Sequence, residues 1–285
     1  MLELRDRSRF LDVTVEMLDG WRRHLSGRNA SLIAFFGFLS IFPLALAAAT
    51  VLGIVLDGNE DLQRRVTEGA FDDIPLIGQN LKANPDPGGN VFVLIGGLAG
   101  ALWSSTKAFV AIHSAQDDSW EVDVDDRSTT PKVRGRALLG IVILGGAQIG
   151  SLVLAGIVSA ASLPAFGDLG IIAATVFVNI VSTLLIFRLL VSISPPWPQL
   201  VLGAVIAGVI ITALQHFNTA LALYFQRNAA STYGDFAVVL GLVTWLSLMA
   251  IASLMCVELN AARTRLADRD AVRRGERFDL AIPAP

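Results

Sequence analysis

The sequence predicts an all-α fold: a polytopic membrane bundle of six transmembrane helices, both termini cytoplasmic, with an amphipathic interfacial helix at its N-terminal end. Three observations carry this expectation. Long apolar runs recur along the chain, charged residues are scarce, and basic residues gather in alternate connections. Of 285 residues, 53% are hydrophobic and 16% charged, with a mean hydropathy of +0.60. A soluble domain carries about 25% charged residues, so the deficit points to lipid as the surrounding solvent. The residue-by-residue alternation of a membrane β-barrel is missing from the runs.

A helix needs about 20 mostly apolar residues to cross a hydrocarbon layer roughly 30 Å thick. Trimmed at proline, glycine and charged edges, the runs give six spans: Ala30–Leu56, Val91–Ile112, Ala137–Leu163, Leu169–Val191, Leu200–Phe225 and Phe236–Val257. The fourth and fifth are parted by Ser194-Pro195-Pro196-Trp197-Pro198, which cannot continue a helix. Pro43 falls inside the first span, where its ring opposes the Leu39 carbonyl and predicts a bend, with Ser40 one turn earlier available to a freed carbonyl. The charged opening, Met1 to Arg7, does not resemble a secretory signal, so the first span reads as a signal-anchor. Three regions follow: a cytoplasmic amphipathic segment (1–29), the six-helix domain (30–258) and a charged cytoplasmic tail (259–285).

Orientation comes from Lys and Arg in the connections. Sixteen lie before the first span (Arg5, Arg7, Arg9, Arg22, Arg23, Arg28), in the second connection (Arg127, Lys132, Arg134, Arg136) or in the tail (Arg263, Arg265, Arg269, Arg273, Arg274, Arg277). Four, Arg64, Arg65, Lys82 and Arg227, lie on the opposite side. Basic residues stay inside, which puts both termini in the cytoplasm and the acidic connection 57–90 outside. The segment from Phe10 to Arg23 interleaves apolar and charged residues, as a helix on the membrane surface or one packed under the bundle would. Ala261–Arg274 reads as a charged, solvated continuation of the sixth span.

Little in the chain points to catalysis. His24, His113 and His216 are scattered without metal-ligand spacing, and the single cysteine, Cys256, sits in an apolar run as a small hydrophobe. The acidic stretch Asp117, Asp118, Glu121, Asp123, Asp125, Asp126 lacks the glycine and closing glutamate of a calcium loop and reads as a solvated connection. No enzyme activity, cofactor or metal is expected. The net charge of −3 leaves no bulk attraction for nucleic acid.

Polar groups inside the spans are more informative, because lipid makes them costly unless they face protein or water. Gln148 and Ser151 in the third span, Asn179 in the fourth, and Gln215 and Asn218 in the fifth lie on stripes of small and polar residues. Such stripes glue helices together or line a polar cavity, and both readings stand. Gly96 and Gly100, four apart in the second span, suit a close helix approach. Lys107 and Arg188 fall at the cytoplasmic ends of their spans, at the depth of Glu258, as an ion-paired cluster or a lipid-phosphate site would; separate snorkelling is the alternative.

Four segments in order resemble the YihY family, also called BrkB and once labelled ribonuclease BN. They are the opening helix from Ala30 through Ser40 to Pro43, the Trp103-Ser104-Ser105 segment, Tyr233-Gly234 followed by Trp245, and Glu258-Leu259-Asn260. Phe35-Phe36 departs from the family's common Tyr-containing aromatic pair, and Asp117 stands near a position where Asn is frequent. The resemblance spans roughly residues 21–262 and implies a bacterial inner-membrane protein, with roles in envelope integrity or in export of lipids or envelope precursors. The expected function is transporter-like or flippase-like handling of an amphiphilic envelope lipid, and the alternative is a non-transporting envelope scaffold. Membrane lipids, a second copy of the chain or envelope proteins are the expected partners. The ribonuclease label conflicts with the chemistry, since the spans offer no clustered carboxylates or histidines for a metal.

Overall fold

The computed structural model describes residues 9–55, 91–160, 167–233 and 236–275, and every statement below concerns these. They form seven α-helices and one short 3₁₀ turn, with no strand among them. The helices are α1 (Arg9–Arg23), α2 (Ser26–Val55), α3 (Val91–Ser119), α4 (Thr130–Ala160), α5 (Gly167–Leu189), α6 (Trp197–Tyr233) and α7 (Phe236–Arg273). Four contain stretches long and apolar enough to cross a membrane: Ile95–Ser119, Gly170–Leu189, Trp197–Phe217 and Val239–Arg273. The acidic connection 57–90 and the end of the tail lie outside the described residues.

The chain divides into two compact units. One comprises Met1–Ile33, Phe109–Phe217 and Ser247–Pro285; the other comprises Ala34–Ala108 and Asn218–Leu246. In the first unit α4 packs along α5. Phe109, Ala137, Ile186 and Leu190 form one apolar core there, and a second gathers Trp120, Phe187, Val191, Leu200, Ala204 and Val257. Glycines set the closest approaches. A Cβ on Gly140 would sit 2.6 Å from the Phe109 ring, and one on Gly208 would lie 2.8 Å from the Ile180 backbone.

Helix ends follow local chemistry. Pro131 and Pro198 occupy first turns, where a missing N–H costs nothing. α3 ends in a Schellman arrangement, with Glu121 N–H donating to Asp118 O and Val122 N–H to Asp117 O. Glu121 takes the left-handed position at φ +53, which glycine normally fills. Leu25, at φ +51, makes the corner between α1 and α2 in the same way.

In the second unit, α2 runs unbroken through Pro43, and Ser40 donates to Gly37 O at 2.6 Å rather than to the carbonyl opposed by the proline ring. A Cβ on Gly100 would lie 3.2 Å from Pro43, so this half of the Gly96/Gly100 pair marks a close contact; Gly96 meets nothing among the described residues.

Two expectations need correction. The extension of α7 beyond the apolar span is not a solvated helix: Ala261, Ala262, Thr264 and Ala271 are buried. Its arginines are drawn onto α1 by Glu16, which gives the extension a buried face. Nor is Asp117 part of a solvated loop. It lies in α3 and is 2% exposed, because backbone and hydroxyl donors 75 residues away reach it.

Candidate functional site

The first unit concentrates its ionisable groups where α1, the end of α3 and the lower part of α7 meet. Glu258 on α7 is fully buried. Its Oε1 accepts from His24 Nδ1 at 2.9 Å, Ser26 Oγ at 2.8 Å and Ser119 Oγ at 3.0 Å. Its Oε2 has no hydrogen-bond partner among the described residues, and the nearest cation, Arg265 Nη2, stands 3.8 Å away. The left-handed Leu25 corner is what lets His24 and Ser26, on either side of it, reach one oxygen. Gly20 closes over the pair: a Cβ there would come within 2.6 Å of Glu258 Oε2 and 2.9 Å of Arg265 Nη2. Any larger residue would force the Glu258 carboxyl and the Arg265 guanidinium to shift.

Around this hub α1 is fastened by charge. Glu16, buried at 3% exposure, meets Arg269 at 2.8 Å, Arg265 at 3.3 Å and Arg23 at 3.1 Å. Glu121 meets Arg23 at 3.3 Å and His24 Nε2 at 3.4 Å. Trp21 adds an apolar contact with the cluster of Ala30, Ala115, Ala250 and Leu254. The opposite strip of α1 is exposed and apolar, with Phe10 at 77% and Leu18 at 47% exposure. The helix thus buries Glu16 and Gly20 on its inner face, with Arg9, Asp19, Arg22 and Arg23 exposed beside the apolar strip.

Burial pulls the Glu16 pKa upward, but the Arg269, Arg265 and Arg23 guanidiniums outweigh it and hold it below the ordinary 4.5. The sign follows. A carboxyl depressed on folding stabilises fully above pH 4.5, and loses that contribution as pH falls through its folded value. Glu16→Gln is therefore expected to melt lower than wild type at neutral pH, the two curves converging well below pH 4.5. Thermal unfolding across a pH series checks this, and a gap that widens on acidification contradicts it.

A second knot binds α3 to the start of α4 and the α5–α6 connection. Asp117 accepts from Ser192 N–H and Ser192 Oγ, both at 2.7 Å, and lies 3.2 Å from His113 Nδ1. Arg136 donates to Val191 O at 2.7 Å and Ser128 Oγ at 3.0 Å, with His113 Nε2 at 3.5 Å. Asp118 pairs with Arg127 at 2.8 Å and accepts from Asn29 at 3.3 Å.

Of the stripe residues, Asn179 uses both amide hydrogens on α6, donating to Thr212 Oγ1 at 2.9 Å and to Gln215 Oε1 at 2.8 Å. Those three groups join helices. The side chains of Gln148, Ser151 and Asn218 fall outside the described residues. Lys107 lies over the Trp103 ring, 5.7 Å from its centre. Arg188 donates to Pro195 O and stacks on Trp197 at 5.1 Å, stapling the end of α5 to the start of α6. The partners found for Glu258 are the three donors above and Arg265; Arg188 is not among them, and Lys107 belongs to the other unit. Among the described residues no group of three or more His, Cys, Asp or Glu is placed to hold a metal.

The family model described as Virulence factor BrkB matches residues 17–278. The chain belongs to the YihY/BrkB family. No curated protein and no solved structure matches it. Two of the residues that carry the family resemblance are explained by the packing. Asn260 inserts its amide into the α6 backbone, accepting from Gly203 N–H at 2.9 Å and donating to Leu200 O at 3.0 Å. Glu258, two residues earlier, is the hub of the ionic site. Trp103 is 60% exposed beneath Lys107, Trp245 is half-buried, the Tyr233 side chain is not among those described, and Gly234 lies outside the described residues.

The sequence reading singled out Glu258 but missed Glu16, Gly20, His24, Ser119 and Arg265. A signal existed in α1, where Glu16 and Gly20 stand one turn apart on one face. A glycine one turn from an acid in an otherwise regular amphipathic helix marks a close approach rather than a solvated surface.

Proposed function

We propose that this YihY/BrkB family protein is a six-span inner-membrane protein, both termini cytoplasmic, that moves an amphiphilic lipid or envelope precursor between leaflets or out of the membrane. The observation that carries this reading is Glu258, a fully buried carboxyl group on a helix apolar enough to span a membrane. One of its oxygens has no hydrogen-bond partner among the described residues and only the Arg265 guanidinium at 3.8 Å. Ionisable groups at such positions are costly and recur on ion and substrate pathways. Exposed apolar side chains on the helices, such as Val142, Phe177 and Phe217 at 67% each, suit a lipid surround. The outward apolar strip of α1 suits a helix lying in the cytoplasmic headgroup layer. Lys107 and Arg188 are the candidate contacts for a lipid phosphate.

A scaffold that does not transport is the second reading. It is favoured by the Asn179–Thr212–Gln215 bonds, which spend midspan polar groups on helix packing. Reconstitution separates the two. In vesicles of phosphatidylethanolamine and phosphatidylglycerol, the purified protein is expected to speed the exchange of fluorescent phosphatidylglycerol between leaflets, with Lys107→Ala and Arg188→Ala slower. Exchange no faster than in protein-free vesicles, for phosphatidylglycerol and for extracted envelope lipids alike, would sink the transport reading. Reporter fusions after Arg136 and at the C-terminus are expected inside, and one at Lys82 outside.

A further inference from the structure

Glu121, His24 and Glu258 form a line from surface to interior. The Glu121 side chain is 39% exposed, that of His24 10%, and that of Glu258 0%. His24 touches both carboxylates with different nitrogens, Nε2 lying 3.4 Å from Glu121 Oε1 and Nδ1 2.9 Å from Glu258 Oε1. An imidazole between two oxygen acids can take a proton on one nitrogen as it releases one from the other. Glu121 also occupies a left-handed backbone position that glycine would fill at less cost, so the fold bears strain to keep a carboxylate there.

The surroundings of Glu258 accept either charge state. Ser119 has one hydroxyl hydrogen and two acceptors in reach, Ala115 O at 2.9 Å and Glu258 Oε1 at 3.0 Å. Turned to the carboxylate, it stabilises the anion; turned to Ala115 O, it leaves a lone pair to accept from the neutral acid. Ser26, at 2.8 Å, has the same freedom of rotation. Oε2, without a hydrogen bond among the described residues, lies beneath Gly20, shut off from solvent.

We propose that Glu258 is a proton-binding site, loaded from the protein surface through Glu121 and His24. The proton on the Glu121 carboxyl moves to His24 Nε2 as the Nδ1 proton moves to Glu258 Oε1. Glu121 is left ionised, His24 neutral with its hydrogen on Nε2, and Glu258 a neutral acid. The charged groups around this line are Arg23 and Glu16 on α1, Asp118 on α3, and Arg265 and Arg269 on α7. Arg265, 3.8 Å from Glu258 Oε2 and 3.7 Å from Glu121 Oε1, is left with less countercharge when Glu258 is neutralised. It also holds Glu16, so proton loading acts directly on the fastening of α1. In the transport reading, on which only this use of the proton rests, the site supplies ion coupling.

Infrared difference spectroscopy of the full-length protein in detergent micelles tests the site without any lipid substrate. After a downward pH jump, the wild type is expected to develop the C=O band of a protonated carboxyl in a dry setting. Glu258→Gln is expected to remove that band, and Glu258→Asp, which keeps a carboxyl, to shift it. His24→Phe and Glu121→Gln are expected to reach the full band roughly a hundredfold more slowly. A band that persists unshifted in both Glu258 variants, or no band in the wild type, overturns the site. A wild-type rate in either His24→Phe or Glu121→Gln overturns the path. Because nothing is transported in this measurement, a failed lipid exchange beside an intact band would count against the transport reading alone.

Discussion

Asp117→Ala is expected to destabilise the protein by about 3–5 kcal/mol, the cost of breaking one side of a buried charged network. The side chain is almost wholly buried, yet it serves three donors on two segments. Its loss strands the Ser192 N–H and hydroxyl and removes the acid beside His113, while Arg136 stays in place on Val191 O. Each stranded donor carries its own desolvation penalty of about 1–3 kcal/mol. Ser192→Ala removes two hydroxyl bonds, the one donated to Asp117 and the one accepted from Ser128 N–H, but leaves the backbone N–H on Asp117, so it is expected to cost less, about 2 kcal/mol. Thermal unfolding in detergent, read by circular dichroism, should rank the two clearly. An Asp117→Ala protein as stable as Ser192→Ala would show that the knot is solvated in practice.

Gly208→Val is the second large effect, at about 2–3 kcal/mol. A Cβ at this position would lie 2.5 Å from Ile180 Cγ1 and 2.8 Å from the Ile180 N and Cα. A side chain can rotate away, but the α5 backbone cannot without moving the helix. The neighbouring bonds suffer too, since Asn179 precedes Ile180 and reaches across to Thr212, one turn beyond Gly208. Gly170→Ala is the control: nothing among the described residues lies within 4 Å of its Cβ, and alanine gains about 1 kcal/mol of helix propensity. Unfolding midpoints should therefore move in opposite directions. If both variants behaved alike, α5 and α6 would not be in close contact at Gly208.

The helices themselves were legible from the chain, because apolar runs of this length have few other ways to satisfy their backbone in lipid. The second span was expected to begin at Val91, where α3 begins, and the sixth at Phe236, where α7 begins. The proline-rich break was expected at residues 194–198; the structure ends α5 at Leu189 and starts α6 at Trp197, so residues 194–196 lie in the break while Trp197 and Pro198 open the next helix. The family too could be recognised from the sequence, since its motifs stand in order along the chain. Glycine spacing gave part of the packing: Gly96 and Gly100 were read as suiting a close helix approach, and Gly100 marks one against Pro43.

What the chain could not disclose is which polar groups meet. Glu258 was placed near Lys107 and Arg188 by depth alone, whereas its actual donors lie 234, 232 and 139 residues away in sequence. Depth fixes one coordinate of a side chain; its bearing around the helix and its neighbours' rotation fix the rest. Asp117 shows the same limit from the other side. In sequence it opens an acidic stretch that looks solvated, and only the docking of Ser192 makes its burial tolerable. The periodic burial of apolar residues is a local property, so composition and spacing determined the helices, four of which are long and apolar enough to cross a membrane. The pairing of desolvated charges depends on contacts between distant segments, so only the tertiary structure decided that Glu16 of α1 meets Arg265 and that the His24–Ser26 corner meets Glu258.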